Sequence, residues 1–111
     1  MKLVNLTTHD IKLWGDGGKA KLIILPSGTV ARLETRRFKT CMEVVSDGVT
    51  IAVWRTEYGL ITGLPEPQAD TLYIVSALVR EQARRDDVVS LGDFIRDDKG
   101  CIIGVACLEV G

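Results

Sequence analysis

The sequence predicts a mainly β fold, a small antiparallel β-barrel or sandwich with one short α-helix. Three observations carry that expectation. Val, Ile and Thr supply 30 of the 111 residues, and β-branched side chains suit the pleated, half-buried surface of a strand. Turn signals rich in Gly and Asp divide the chain into short pieces. Only one segment combines the spacing and the caps of a helix.

The first turn, Gly15-Asp16-Gly17-Gly18, should pair Ile11–Trp14 with Ala20–Leu25, and Pro26-Ser27-Gly28 should then lead into a strand over Thr29–Arg36. There Ala31 and Leu33 take one face while Arg32, Glu34 and Arg36 take the other, the pattern of a strand with one wet face. Asp47-Gly48 marks a second hairpin, Cys41–Val45 with Val49–Thr56, because a type I′ turn needs positive φ at both central residues. Leu60–Thr62 and Leu72–Val75 read as short strands, and Phe94–Arg96 with Ile102–Cys107 as a closing hairpin. Ser76–Arg85 is the helix: Ser76 serves as N-cap, Leu78, Val79, Gln82 and Ala83 line one side, and Arg84 and Arg85 suit the C-terminal end of the dipole. Leu64-Pro65-Glu66-Pro67 should be a loop, since proline has no amide hydrogen to offer a sheet. Eight or so short strands and one helix fit a barrel whose open edge the helix covers, with a sandwich as the alternative.

The length suits a single β-rich domain over residues 1–111. The longest nearly apolar run, Leu72 to Val79, is broken by Ser76, whereas a spanning helix needs roughly 20 apolar residues. No membrane span is expected. The first residues lack the apolar stretch of a signal peptide, and Cys41, Cys101 and Cys107 are an odd number without a CxxC pair. Both features point to a cytoplasmic chain with reduced thiols and no metal. The net charge of −1 conceals a polarity: residues 1–42 carry eight Lys/Arg against three Asp/Glu, and residues 43–111 six against twelve. Such a balance argues against nucleic acid, whose phosphates are bound by a basic surplus. Opposite segments can pair between subunits as well as within one, and a domain this small leaves about a third of its unfolded surface exposed, so a homo-oligomer is expected.

The chemistry-bearing residues are few. Gly15-Asp16-Gly17-Gly18-Lys19 lacks the Ser or Thr and the following helix of a phosphate loop, and neither a Gly-x-Ser-x-Gly elbow nor a cofactor motif is present. No cofactor is expected. Polar residues recurring in loops point instead to a binding site: Asn5, Thr7 and His9 near the start, Tyr73 before the helix, Arg85 with Asp86 after it, and Arg32. On this reading they converge on one cleft for a small polar or anionic ligand, with Arg85 gripping the anion, Tyr73 stacking, and Asn5 or His9 setting orientation. A partner protein is the other candidate occupant. Three competing readings stay open. Arg85 and Asp86 can form a structural pair, His9 can act as general base in a small hydrolase or isomerase, and the chain can be an assembly subunit, marked by a broad apolar interface.

Val4-Asn5-Leu6-Thr7-Thr8-His9, Pro26-Ser27-Gly28-Thr29-Val30-Ala31-Arg32, Gly63-Leu64-Pro65-Glu66-Pro67, Thr71-Leu72-Tyr73-Ile74-Val75-Ser76 and Arg85-Asp86-Asp87-Val88-Val89 together resemble a family of short uncharacterised proteins of bacteria, phages and other mobile elements. Thr8 and Leu91 stand where that pattern has proline, and Cys107 comes later than its cysteine. The resemblance implies an accessory protein of a phage or mobile element and no particular reaction.

Overall fold

In the computed structural model, which describes residues 1–111, the chain runs β1 (Lys2–Asn5), β2 (Ile11–Gly15), β3 (Ala20–Ile24), β4 (Arg32–Ser46), β5 (Val49–Thr62), β6 (Thr71–Ile74), α1 (Ala77–Ala83), β7 (Val88–Arg96) and β8 (Ile102–Val110). Six strands form one sheet in the order β1-β6-β7-β8-β2-β3, and β4 and β5 form a separate two-stranded ribbon. The sheet curls until its ends meet where Asn5 bridges Pro26, just past β3, and the Ser27 N–H donates to the Asn5 carbonyl at 2.9 Å. The outcome is a mainly β fold with one helix and a nearly closed, barrel-like sheet, as the composition led one to expect. No helix is long and apolar enough to cross a membrane.

The two hairpins of the barrel are antiparallel, but β1–β6, β6–β7 and β2–β8 pair parallel. Parallel neighbours require a long crossover. Here α1 supplies the crossover between β6 and β7, and the β4–β5 ribbon lies in the connection that brings β6 beside β1. The helix has the expected cap: the Ser76 hydroxyl oxygen accepts from the Val79 N–H at 3.3 Å. It ends earlier than Arg85 because Arg84 turns left-handed at φ 52°, its N–H returning to the Arg80 carbonyl.

Strand alternation builds two small cores. Tyr73, Val75 and Val88 pack with Leu6, Ala31 and Val79 on one face of the sheet, while Ile74 and Val89 meet Ile11 and Val105 on the other. Their neighbours Asn5, Thr71 and Ser90 are also buried, and α1 packs over β7.

The largest departure from expectation lies between residues 32 and 62. In place of a strand to Arg36, a separate hairpin and a short Leu60–Thr62 strand, the chain forms one continuous ribbon that pairs Arg32 with Thr62 at its root and Ser46 with Val49 at its tip. Asp47 and Gly48 make the expected tight turn, with φ of 51° and 77°. The register shifts twice: two additional β4 residues lie between Lys39 and Glu43, and one additional β5 residue lies between Tyr58 and Ile61. At the first shift the Thr40 hydroxyl donates to the Val53 carbonyl at 2.7 Å. This ribbon stands away from the barrel, which is why the radius of gyration is 18.2 Å instead of the ~13 Å of a compact chain this long.

Candidate functional site

Asn5 is the keystone of the loop that sequence singled out. Its side chain is buried, and its amide nitrogen donates to the carbonyls of His9 at 2.7 Å and Ile24 at 3.1 Å. Its oxygen accepts from the Thr7 N–H at 2.9 Å and the Thr7 hydroxyl at 2.6 Å. All of these partners are protein groups, so Asn5 shapes the loop and holds it against the end of β3. The same seam carries Leu6, whose N–H reaches the Ile74 carbonyl and whose carbonyl accepts from the Ala31 N–H.

The loop borders a cleft of about 460 Å³ lined by Thr7, His9, Arg32, Thr35 and Ser76 over a floor that includes Leu6 and Val79. Arg32 and His9 enter no ion pair, so the cleft has a cation to offer an anion. The hydrogen bonds of His9 run through its backbone. The carboxylate that a histidine general base would lean on is therefore not among its partners.

Tyr73 and Arg85 sit elsewhere. Tyr73 is buried, with its hydroxyl donating to the Glu66 carbonyl at 3.2 Å. The Arg85 guanidinium, 6.0 Å from the Tyr73 ring, grips Asp87 through Nε at 2.9 Å and Nη2 at 2.7 Å and donates from Nη1 to the Pro65 carbonyl at 3.0 Å. The bidentate fork is thus occupied, and its partner is Asp87 in place of the expected Asp86. Residues 85–88 make a tight turn closed by the Val88 N–H on the Arg85 carbonyl at 3.2 Å, and this turn folds the Asp87 carboxylate back onto the Arg85 guanidinium. Asp86 is exposed and, with Arg80, Arg84, Arg85 and Glu109, lines a cleft of about 570 Å³ apart from the first. The six candidate residues therefore divide between two places: Asn5, Thr7 and His9 around one loop, and Tyr73, Arg85 and Asp86 around the turn into β7.

The Arg85 guanidinium holds the Asp87 carboxyl below the usual carboxylate range, mainly by its hydrogen bonds and then by its charge, against the opposing effect of burial. A depressed carboxylate stabilises the fold above its unfolded pKa, and that stabilisation is lost as pH falls through the folded one. Asp87→Asn should therefore lower stability by about 1–2 kcal/mol at neutral pH. Thermal melts across pH should show the gap closing below about pH 4, as the wild-type carboxylate is itself protonated.

A second cluster escaped sequence reading. Asp93, Cys107 and Glu109 hold donor atoms within 4.8 Å of one another, and Gly92 makes room for them: a Cβ there would stand 2.7 Å from the Cys107 sulfur and from a Glu109 oxygen. Burial, then Asp93 and Glu109, push the Cys107 thiol up. A cation bound there would have to displace that proton. Glu109 also accepts from Arg80 Nη1 at 3.2 Å, and the same nitrogen donates to the Ser90 hydroxyl at 2.9 Å. The cluster joins neighbouring antiparallel strands across Gly92↔Cys107, a proximity that their separation in sequence conceals.

The ribbon is the other feature that sequence did not single out. Residues 41 to 52 are exposed without exception on both faces, and its tip carries Val45 at 69% and Val49 at 59% exposure. Met42, Val44, Ile51, Trp54, Tyr58 and Leu60 are exposed along it as well. Nearer the root, Arg37 stacks on Trp54 at 4.6 Å and Arg36 on Phe38 at 5.2 Å. No family model, curated protein or solved structure matches the chain.

Proposed function

We propose that this protein is a non-catalytic assembly subunit that associates with copies of itself through the β4–β5 arm. The observation that carries this reading is a ribbon of 15 and 14 residues projecting from a barrel with its apolar side chains in water. A two-stranded ribbon is marginal alone, and stability comes from further strands or a packed face. Scattered exposed hydrophobics are ordinary, but a concentration of them on one projecting element marks a contact surface.

Of the occupants sequence left open, the arm favours protein over a small ligand. Asn5, Tyr73 and Arg85 spend their polar groups on the protein itself, which leaves for an anion the Arg32–His9 cleft and the cleft beside Arg84. The resemblance to short phage and mobile-element proteins fits an accessory role in a larger assembly. The test is the mass in solution: light scattering on the full chain should show association that strengthens with concentration. A chain whose residues 37–56 are replaced by Asn-Gly, joining the paired Arg36 and Glu57, should remain folded and monomeric. Association undiminished in that shortened chain would refute the reading.

A further inference from the structure

The arm has two free edges, and they differ. Along β4 the edge is interrupted by the two additional residues between Lys39 and Glu43, and a bulge disrupts pairing on the strand that carries it. That strand also brings Arg36, Arg37 and Lys39 close together, so pairing it with itself would stack like charges. The edge of β5 is in unbroken register from Trp54 to Tyr58. Its Val53 carbonyl faces β4, where it accepts from Thr40. By the alternation of an antiparallel ladder, the backbone groups of Trp54, Thr56 and Tyr58 then face outward and are free to pair.

We propose, resting on the reading of the arm as the assembly surface, that two copies join along β5, antiparallel about a twofold axis at Thr56, into a four-stranded sheet. In this register Thr56 meets its own counterpart, Arg55 lies opposite the second copy's Glu57, and Trp54 lies opposite the second copy's Tyr58. Each opposition occurs twice by symmetry. Opposite charges and paired aromatics directly across a ladder are favourable, and like charges are not. That rule selects the register: moving the axis by one residue puts Arg55 against Arg55 or Glu57 against Glu57. The antiparallel arrangement also carries the tip of each arm toward the root of the other.

The experiment reverses the charges singly and then mixes the products. Arg55→Glu and Glu57→Arg each place like charges opposite one another twice, and each should weaken association of the full chain about tenfold or more while its melting transition stays near that of the wild type. A one-to-one mixture of the two variants restores both opposite-charge contacts between copies and should associate about tenfold more tightly than either variant alone, as should the double variant. Both fall short of the wild type only by what Glu57→Arg costs against Arg36 of its own arm. Wild-type association that survives both reversals, or variants that fail to recover on mixing, overturns this edge and register but leaves the arm reading to the shortened chain. A wild type that is monomeric throughout overturns both. Should a charge variant fail to fold, Thr56→Cys in a chain whose Cys41 and Cys101 are serine provides the second test. The two thiols meet on the axis and should give a disulfide-linked dimer on oxidation, whereas an unlinked product overturns the proposal.

Discussion

Replacing Asn5 by Ala should cost the fold about 2–4 kcal/mol, which for a chain this size lowers the melting temperature by on the order of 10 °C. The substitution removes a small polar side chain and leaves the His9 and Ile24 carbonyls and the Thr7 N–H without the partners they have in the structure. Their desolvation is then uncompensated. Asn5 also stands where β1 bridges Pro26 and closes the barrel, so the loss falls on the seam between the two ends of the sheet. Asn5→Asp is the sharper comparison, because it keeps the shape and the acceptor for Thr7 but turns negative oxygen toward two carbonyls. At neutral pH it should be at least as damaging as Asn5→Ala, and acid should relieve it by protonating the new carboxylate. Thermal melts of both variants at neutral and acidic pH measure this directly.

Gly63→Ala should be the other large effect, about 3 kcal/mol or more. Gly63 ends β5 at φ 78°, and a Cβ there would collide with the Val30 carbonyl oxygen and lie 3.1 Å from its carbon. Both are backbone atoms at the approach to β4, so neither moves without moving the root of the arm. Gly48 has nearly the same φ, 77°, but a Cβ there meets nothing within 4 Å. Gly48→Ala therefore carries only the backbone strain, about 1–2 kcal/mol. The difference between the two melts isolates the close packing of the arm's root, and equal effects would show that the root is not tightly held.

What could be read from the sequence followed the local rules. Asp47-Gly48 and Gly15-Asp16-Gly17-Gly18 turned where positive φ was needed, and Ser76 capped the helix it precedes. The alternation around Tyr73-Ile74-Val75 marked a strand, though its parallel partners depend on crossovers that no local pattern encodes. The ribbon reads as three pieces in sequence because Arg36-Arg37-Phe38-Lys39 breaks the apolar–polar alternation. A ribbon with both faces in water has no buried side to impose that alternation. The site residues failed in a related way. Polar residues in loops read as ligand donors, yet the backbone groups around a closing barrel also need partners, and Asn5 and Arg85 meet that need. Adjacency in sequence points to Asp86, but the tight turn from Arg85 to Val88 brings Asp87 back onto the guanidinium.

Hydrogen–deuterium exchange of the full chain, followed from dilute to concentrated protein, tests the arm most directly. The amides of Trp54, Thr56 and Tyr58, turned away from β4, should exchange freely when dilute and become protected as the protein is concentrated. The exchange rates of the buried strands β6 and β7 should stay the same. Arm amides that exchange equally fast at both extremes, in protein that light scattering shows to be associated, would contradict the account and place the contact elsewhere on the molecule.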